Sequence, residues 1–229
     1  MQQQIDVNEL QVLTFDCYGT LIDWEEGIST ALSSLFGRHG LKVSTDQILN
    51  LYAKYELEER NKPYQAYKLL LSNVVKNILS EFNVKATNYE KEFLSKSIRN
   101  WIPFTDTIGT LTYLKKKYKL AIISNIDNDL FEFSHSKINI PFTWVITAED
   151  VQSYKPSLAP FYRALEIIPF PKNKILHIAE SNYHDIAPAK LLGLTTVWVR
   201  RQQTSKATLQ SSAIPDFEIP NLETLRDIL

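Results

Sequence analysis

The sequence predicts an α/β fold: a Rossmann-like parallel sheet core with an inserted helical cap domain. Three observations carry this reading. Five runs of strand length, at 11–15, 120–123, 144–147, 175–179 and 195–199, are nearly continuous in apolar residues. Strands read this way when helices cover both faces of a parallel sheet. From the second run onward helical patterns separate the runs, the alternation expected of βαβ units. The long interval between the first and second runs carries helical spacing and hardly any strand signal. The expected organisation is a core of residues 1–22 plus 101–229, with residues 23–100 as the inserted cap.

Taken in order, the first run, Leu13-Thr14-Phe15, ends in Asp16, and Gly19 then lets the backbone turn away. Inside the interval, Ile28-Leu32-Leu35-Phe36, Ile48-Leu51-Tyr52-Tyr55 and Leu69-Val74-Ile78-Leu79-Phe82 have helical spacing. Polar breaks at 37–40, 61–63 and 83–88 divide them. The chain re-enters the core near Pro103-Phe104-Thr105-Asp106. The polar stretch 201–212 reads as a mobile loop before a short terminal element at 222–229.

The 229 residues suffice for one sizeable core and a smaller lobe. A formal net charge of −1, with no basic stripe, excludes an electrostatic case for nucleic acid or an anionic membrane. No stretch approaches the roughly 18 apolar residues of a membrane span, and Met1-Gln2-Gln3-Gln4 carries no apolar signal region. The single cysteine, Cys17, rules out an intrachain disulfide and reads as a small packing residue. A cytoplasmic protein is expected, with a homodimer left open.

The chemistry lies where the strands end. In a parallel sheet the carboxyl ends of the strands share one crevice. The first strand delivers Asp16 there, the second Ser124 and Asn125, the loop after the third Lys155, and the loop after the fourth Glu180, Asn182 and Asp185. Asp16 suits a covalent nucleophile. Lys155 would hold it ionised and attract an anionic substrate. Asp185 would activate the water that cleaves the covalent ester. Ser124 and Asn125 either cap the following helix or bind substrate oxygens, and Thr20 either caps the turn or bonds near the nucleophile. Trp24 is a candidate pocket wall. His177 and His184 read as structural, and Trp101, Trp144 and Trp198 as core.

These four motifs, Asp16 within Asp-Cys-Tyr-Gly-Thr, Ser124-Asn125, Lys155-Pro156 and Glu180 through Asp185, resemble the haloacid dehalogenase superfamily in order and spacing. Tyr18 stands where the superfamily's phosphatases carry a general acid, so the chain is most similar to the type II 2-haloacid dehalogenase branch, including its members that hydrolyse azetidine-2-carboxylate. The resemblance implies that Asp16 displaces a halide or an amine at carbon 2 of a small carboxylic acid. The product is a 2-hydroxy acid. It places Tyr18, Thr20, Ser124, Asn125, Glu180, Asn182 and Trp24 around the substrate and implies no metal. Three departures stand out. No arginine occurs around Tyr52-Ala53-Lys54, where the branch binds its halide, and the nearest on that helix is Arg60. Phe161 replaces a tyrosine, with Tyr162 adjacent. Glu180 replaces a serine. The missing arginine speaks against efficient halide release and favours a nitrogen leaving group that Glu180 would face. Glu180 also keeps open a Mg²⁺-dependent phosphatase, whose ion would sit on Asp16, Glu180 and Asp185. A catalytically silent binding protein is the remaining class, disfavoured by the joint presence of Asp16, Lys155 and Asp185.

Overall fold

The computed structural model describes residues 9–201 and 211–229. The N-terminal Met1-Gln2-Gln3-Gln4 and most of the polar stretch 201–212 lie outside the described residues. Six strands form one parallel sheet in the order β3-β2-β1-β4-β5-β6. They are β1 (Val12–Phe15), β2 (Lys119–Ser124), β3 (Trp144–Thr147), β4 (Ile175–Ala179), β5 (Thr195–Val199) and β6 (Phe217–Ile219). Phe15 pairs with Ile122 of β2 on one side and Ile178 of β4 on the other. The order reverses beside β1, so a crevice opens at the carboxyl ends of β1 and β4. β1 and β4 are wholly buried, as their near-continuous apolar runs require.

The interval 23–100 after β1 holds five α-helices: α1 (Trp24–Arg38), α2 (Thr45–Arg60), α3 (Tyr67–Glu81), α4 (Asn88–Lys91) and α5 (Phe93–Ser97). Their starts follow from local chemistry. Asp23 accepts the Glu26 N–H at 3.1 Å to cap α1, and Ser44 with Gln47 forms a capping box on α2. Ile28, Leu32, Leu35 and Phe36 of α1 and Val74, Ile78 and Leu79 of α3 are buried together. Leu69, expected on that apolar face, is exposed, because Leu70 and Leu71 take the inward positions. The exit and return of this segment are stitched side by side: Asp23 N–H donates to Ile102 O at 3.0 Å and Phe104 N–H to Leu21 O at 3.0 Å.

The rest of the core adds α6 (Thr107–Leu114), α7 (Asn128–Ile138), α8 (Ala148–Val151), α9 (Ala159–Ile167), α10 (Ala187–Leu191) and α11 (Leu225–Ile228). A π-helical turn, Asn182–Ile186, precedes α10. Strand β6 was not signalled by the sequence. It is three residues long, carries Glu218 at its centre, and lies between Pro215 and Pro220 at the sheet edge.

Candidate active site

The loop after β1 presents Asp16. Gly19 adopts φ 97°, a conformation that strains any residue with a Cβ. The turn it allows brings Thr20 back onto the carboxylate, where Thr20 Oγ1 donates to Asp16 Oδ2 at 2.8 Å and accepts the Glu180 N–H at 2.9 Å. Asp16 Oδ1 accepts from Lys155 Nζ at 2.8 Å. That ammonium also donates to Asp185 Oδ1 at 2.6 Å and to Ile123 O at 2.8 Å, so its three donors are all used. Asn125 fixes the backbone of Lys155 from both sides: its Oδ1 accepts the Lys155 N–H at 2.7 Å and its Nδ2 donates to Lys155 O at 3.1 Å.

These groups are taken almost wholly out of water, with Lys155 and Asp185 each 1% exposed and Asp16 6%. Burial pushes the Asp16 carboxyl up, and the pull of Lys155 does not fully cancel it. Burial acts the same way on Asp185, but there Lys155 and His177 together outweigh it and the carboxyl ends below its ordinary value. Burial works against the Lys155 charge, and the two carboxylates overcome it, so Lys155 stays an ammonium. The expectation that Lys155 lowers Asp16 is therefore met as a contribution and not as the net result.

A cavity of about 150 Å³ lies over these groups. Of the candidate residues named from the sequence, Asp16, Tyr18, Ser124, Asn125, Lys155, Glu180, Asp185 and Trp24 line it. Two predicted residues do not. Thr20 is buried beneath Asp16 and reaches the cavity only through its bonds to Asp16 and to the Glu180 backbone. Asn182 turns its amide away, donating Nδ2 to Ala213 O at 2.9 Å. Tyr18 forms a wall, its hydroxyl 2.9 Å from Ser134 Oγ and its ring edge-on to Trp101. Burial keeps its phenol protonated.

The helical insertion supplies the roof, with Tyr52, Glu56, Arg60 and Tyr67 among its residues. No arginine stands around Tyr52-Ala53-Lys54, and Arg60, named from the sequence only as the nearest on that helix, reaches the cavity. Tyr52, Glu56 and Arg60 are four residues apart and share one face of the helix; that spacing was the available signal. Arg60 pairs through Nε with Glu56 and lies 5.0 Å over the Tyr154 ring. Its Nη1 is buried with no hydrogen-bond partner among the described residues, and so is Ser124 Oγ. His184, read as structural, also lines the cavity, and burial, with Arg60 nearby, lowers it to about 3. Trp101, read as core, lines the cavity as well, packed so closely on Gly27 that a Cβ there would sit 2.4 Å from the indole.

The residues suggested for Mg²⁺ do not fit it. Asp16 and Asp185 both give Oδ1 to the Lys155 ammonium. Among the described residues no three carboxylate, histidine or cysteine side chains converge on a point that would hold an ion. What the arrangement offers instead is a carboxylate oriented by a hydroxyl and a lysine, a second carboxylate beside it, and unsatisfied donors above. That set suits attack on an anionic substrate followed by water activation.

Residues 13–199 match the haloacid dehalogenase-like hydrolase family. An (S)-2-haloacid dehalogenase of Pseudomonas fluorescens is 26% identical over 231 residues, covering 97% of this chain and 98% of that protein. A phosphoglycolate phosphatase of Aquifex aeolicus is 26% identical over 213 residues, covering 92% of each chain. The L-2-haloacid dehalogenase of Xanthobacter autotrophicus superposes with a TM-score of 0.82 at 17% identity, over 96% of this chain and 98% of its own, and has also been solved with chloropropionic acid covalently bound. With a matching profile over most of its length and a shared fold, this chain belongs to the haloacid dehalogenase-like hydrolase family.

Proposed function

We propose that the protein displaces the 2-substituent of a small carboxylic acid through an ester on Asp16, releasing a 2-hydroxy acid. The observation that carries this is Lys155 Nζ bridging Asp16 and Asp185 beneath a cavity whose Arg60 Nη1 and Ser124 Oγ lack partners. Buried donors left unsatisfied are costly, and an anionic substrate would satisfy both. One Asp16 oxygen attacks carbon 2, and the substituent leaves with its bonding electrons. Water then gives a proton to Asp185 and attacks the ester carbonyl carbon. The bond from that carbon to the substrate oxygen breaks, the departing alkoxide takes the proton from Asp185, and loss of the remaining water proton to solvent returns Asp16 as a carboxylate. The product's 2-hydroxyl oxygen therefore comes from Asp16. Tyr18 occupies the place from which a phosphatase would protonate its leaving group, which supports a reaction without that step and without a cofactor.

Halide is the leaving group the site supports first, because Arg60 supplies the cation whose absence spoke against it. Glu56 and Glu180 on the cavity wall favour a second reading, in which a protonated nitrogen leaves. The insertion at 23–100 would act as a cap, closing the cavity and excluding water before ester formation. A single turnover in ¹⁸O water tests the whole reading. The expected result is unlabelled product, with label entering Asp16. Label in the first product would mean direct attack by water and would overturn the covalent route. Activity unchanged by a chelator is expected. Turnover of a phosphomonoester restored by Mg²⁺ would favour the phosphatase chemistry instead.

A further inference from the structure

Behind the cavity lies a buried histidine that the reaction above does not use. We propose that His177 is a positioning residue for the second step, holding Asp185 as the base that activates water. The inference rests on the reading of Asp16 as an esterified nucleophile.

His177 is on β4, completely buried, opposite Thr14 of β1. Its Nδ1 is 2.9 Å from Thr14 Oγ1 and its Nε2 3.1 Å from Asp185 Oδ1. Phe161 of α9 stands edge-on against the ring, 5.2 Å away. On one side of the ring the Thr14 hydroxyl lies 2.9 Å from Nδ1 and 3.3 Å from Leu176 O. On the other side Asp185 is held ionised and can only accept, so His177 Nε2 carries a proton aimed at it. The charged groups in this direction are Asp185 itself and, beyond it, Lys155 and Asp16.

The two donors to Asp185 differ in constancy. Lys155 is shared with Asp16, and the charge of Asp16 disappears when its ester forms. His177 touches neither Asp16 nor the substrate cavity, so its bond to Asp185 persists through both steps. Asp185 itself sits on the π-helical turn Asn182–Ile186, its N–H held by Ser181 O at 3.1 Å, so its backbone is fixed and its side-chain partners set the direction of the carboxylate. Lys155 and His177 both take Oδ1, which leaves Oδ2 as the oxygen to receive the water's proton.

This role predicts a split between steps. In His177→Leu, ester formation proceeds and ester hydrolysis slows by about tenfold to a hundredfold, the usual worth of a hydrogen bond to a charged group. Then kcat and KM fall together while kcat/KM, which reports ester formation, is kept. Asp16 accumulates as an ester, visible by intact-protein mass spectrometry after quenching a reaction with 2-chloropropionate. His177→Gln, whose amide donates from a similar place, should recover part of the hydrolysis. Thr14→Val, which removes the hydroxyl that orients the ring, should slow hydrolysis in the same direction and carries the test if His177→Leu does not fold. Asp185→Asn is the control. If it traps no ester, the covalent reading itself fails. If it traps ester while the His177 and Thr14 variants hydrolyse theirs at the wild-type rate, or lose both steps equally, His177 is a packing residue and the inference is overturned.

Discussion

Lys155 donates to Asp16 across 2.8 Å with both side chains nearly sealed from solvent. An ion pair in so dry a site is strong and sensitive to loss of either partner. Lys155→Met should lower kcat/KM by at least about a hundredfold, as removal of a preorganised electrostatic group does elsewhere. The pH profile gives the sharper test. Burial raises Asp16 and Lys155 pulls it back, so kcat/KM is lost as pH falls through the Asp16 value, which lies above that of an ordinary aspartate. Without Lys155 the carboxyl rises further, and the acid limb should move to higher pH. A limb that stays in place, or moves down, would detach Lys155 from the nucleophile.

Arg60 should bind the anion that the cavity receives. Its guanidinium is held by Glu56 on one side and lies over Tyr154 on the other, a planar arrangement that lysine does not reproduce. Arg60→Gln should raise KM for a 2-haloacid by about tenfold or more, and Arg60→Lys should rescue little of it. An unchanged KM in Arg60→Gln would leave Arg60 as a structural partner of Glu56.

The core was legible because its signals are local and dense. β3, β4 and β5 fall at their predicted ends, since a strand buried on both faces must be apolar throughout. Asp16, Lys155 and Asp185 could be named because each follows a strand whose carboxyl end is fixed by the topology. The failures lay where position depends on packing between distant elements. Nothing near Asn182 in sequence says that its amide turns to Ala213 rather than to the cavity. Arg60 reaches the site only because the insertion folds back over the sheet, although its four-residue spacing from Glu56 and Tyr52 was readable. His177 looked structural because its partners, Thr14 and Asp185, are brought to it by a parallel pairing and a turn.

His184 gives a prediction for stability. Its ring is held neutral, with a value of about 3 against an ordinary 6.5. The unfolded chain therefore takes up a proton below pH 6.5 that the folded protein refuses. Stability should fall as pH drops from about 6.5 towards 3, and the loss from this group is complete only at the lower value. His184→Gln should flatten that part of the curve, read from urea midpoints at successive pH values. A curve with the same slope in the variant would show that other groups set the acid sensitivity.

Asp127 ties the insertion to the core. Helix α3 has Ala66 at its N-cap and no cap from its own side chains. Asp127, on the loop after β2, fills that place from outside the helix: Oδ1 accepts the Tyr67 N–H at 2.7 Å and Oδ2 the Lys68 N–H at 2.9 Å. A carboxylate at a helix N-terminus satisfies open donors and meets the positive end of the helix dipole. The neighbouring core loop adds a second tie, Tyr154 Oη donating to Gln65 O at 2.8 Å, one residue before Lys155. The residues that hold the start of α3 are thus chain neighbours of Asn125 and Lys155 in the site. Asp127→Ala should cost about 0.5–2 kcal/mol of stability, the range for a lost helix cap. It should also raise KM, because the roof carrying Tyr67 is released from the floor. Asp127→Asn, which keeps one acceptor, should fall between the wild type and the alanine variant in both measurements. Hydrogen exchange at the Tyr67 and Lys68 amides locates the effect: faster exchange there in Asp127→Ala is expected. Unchanged exchange with a raised KM would mean that Asp127 acts on the substrate by some path other than the anchoring of α3.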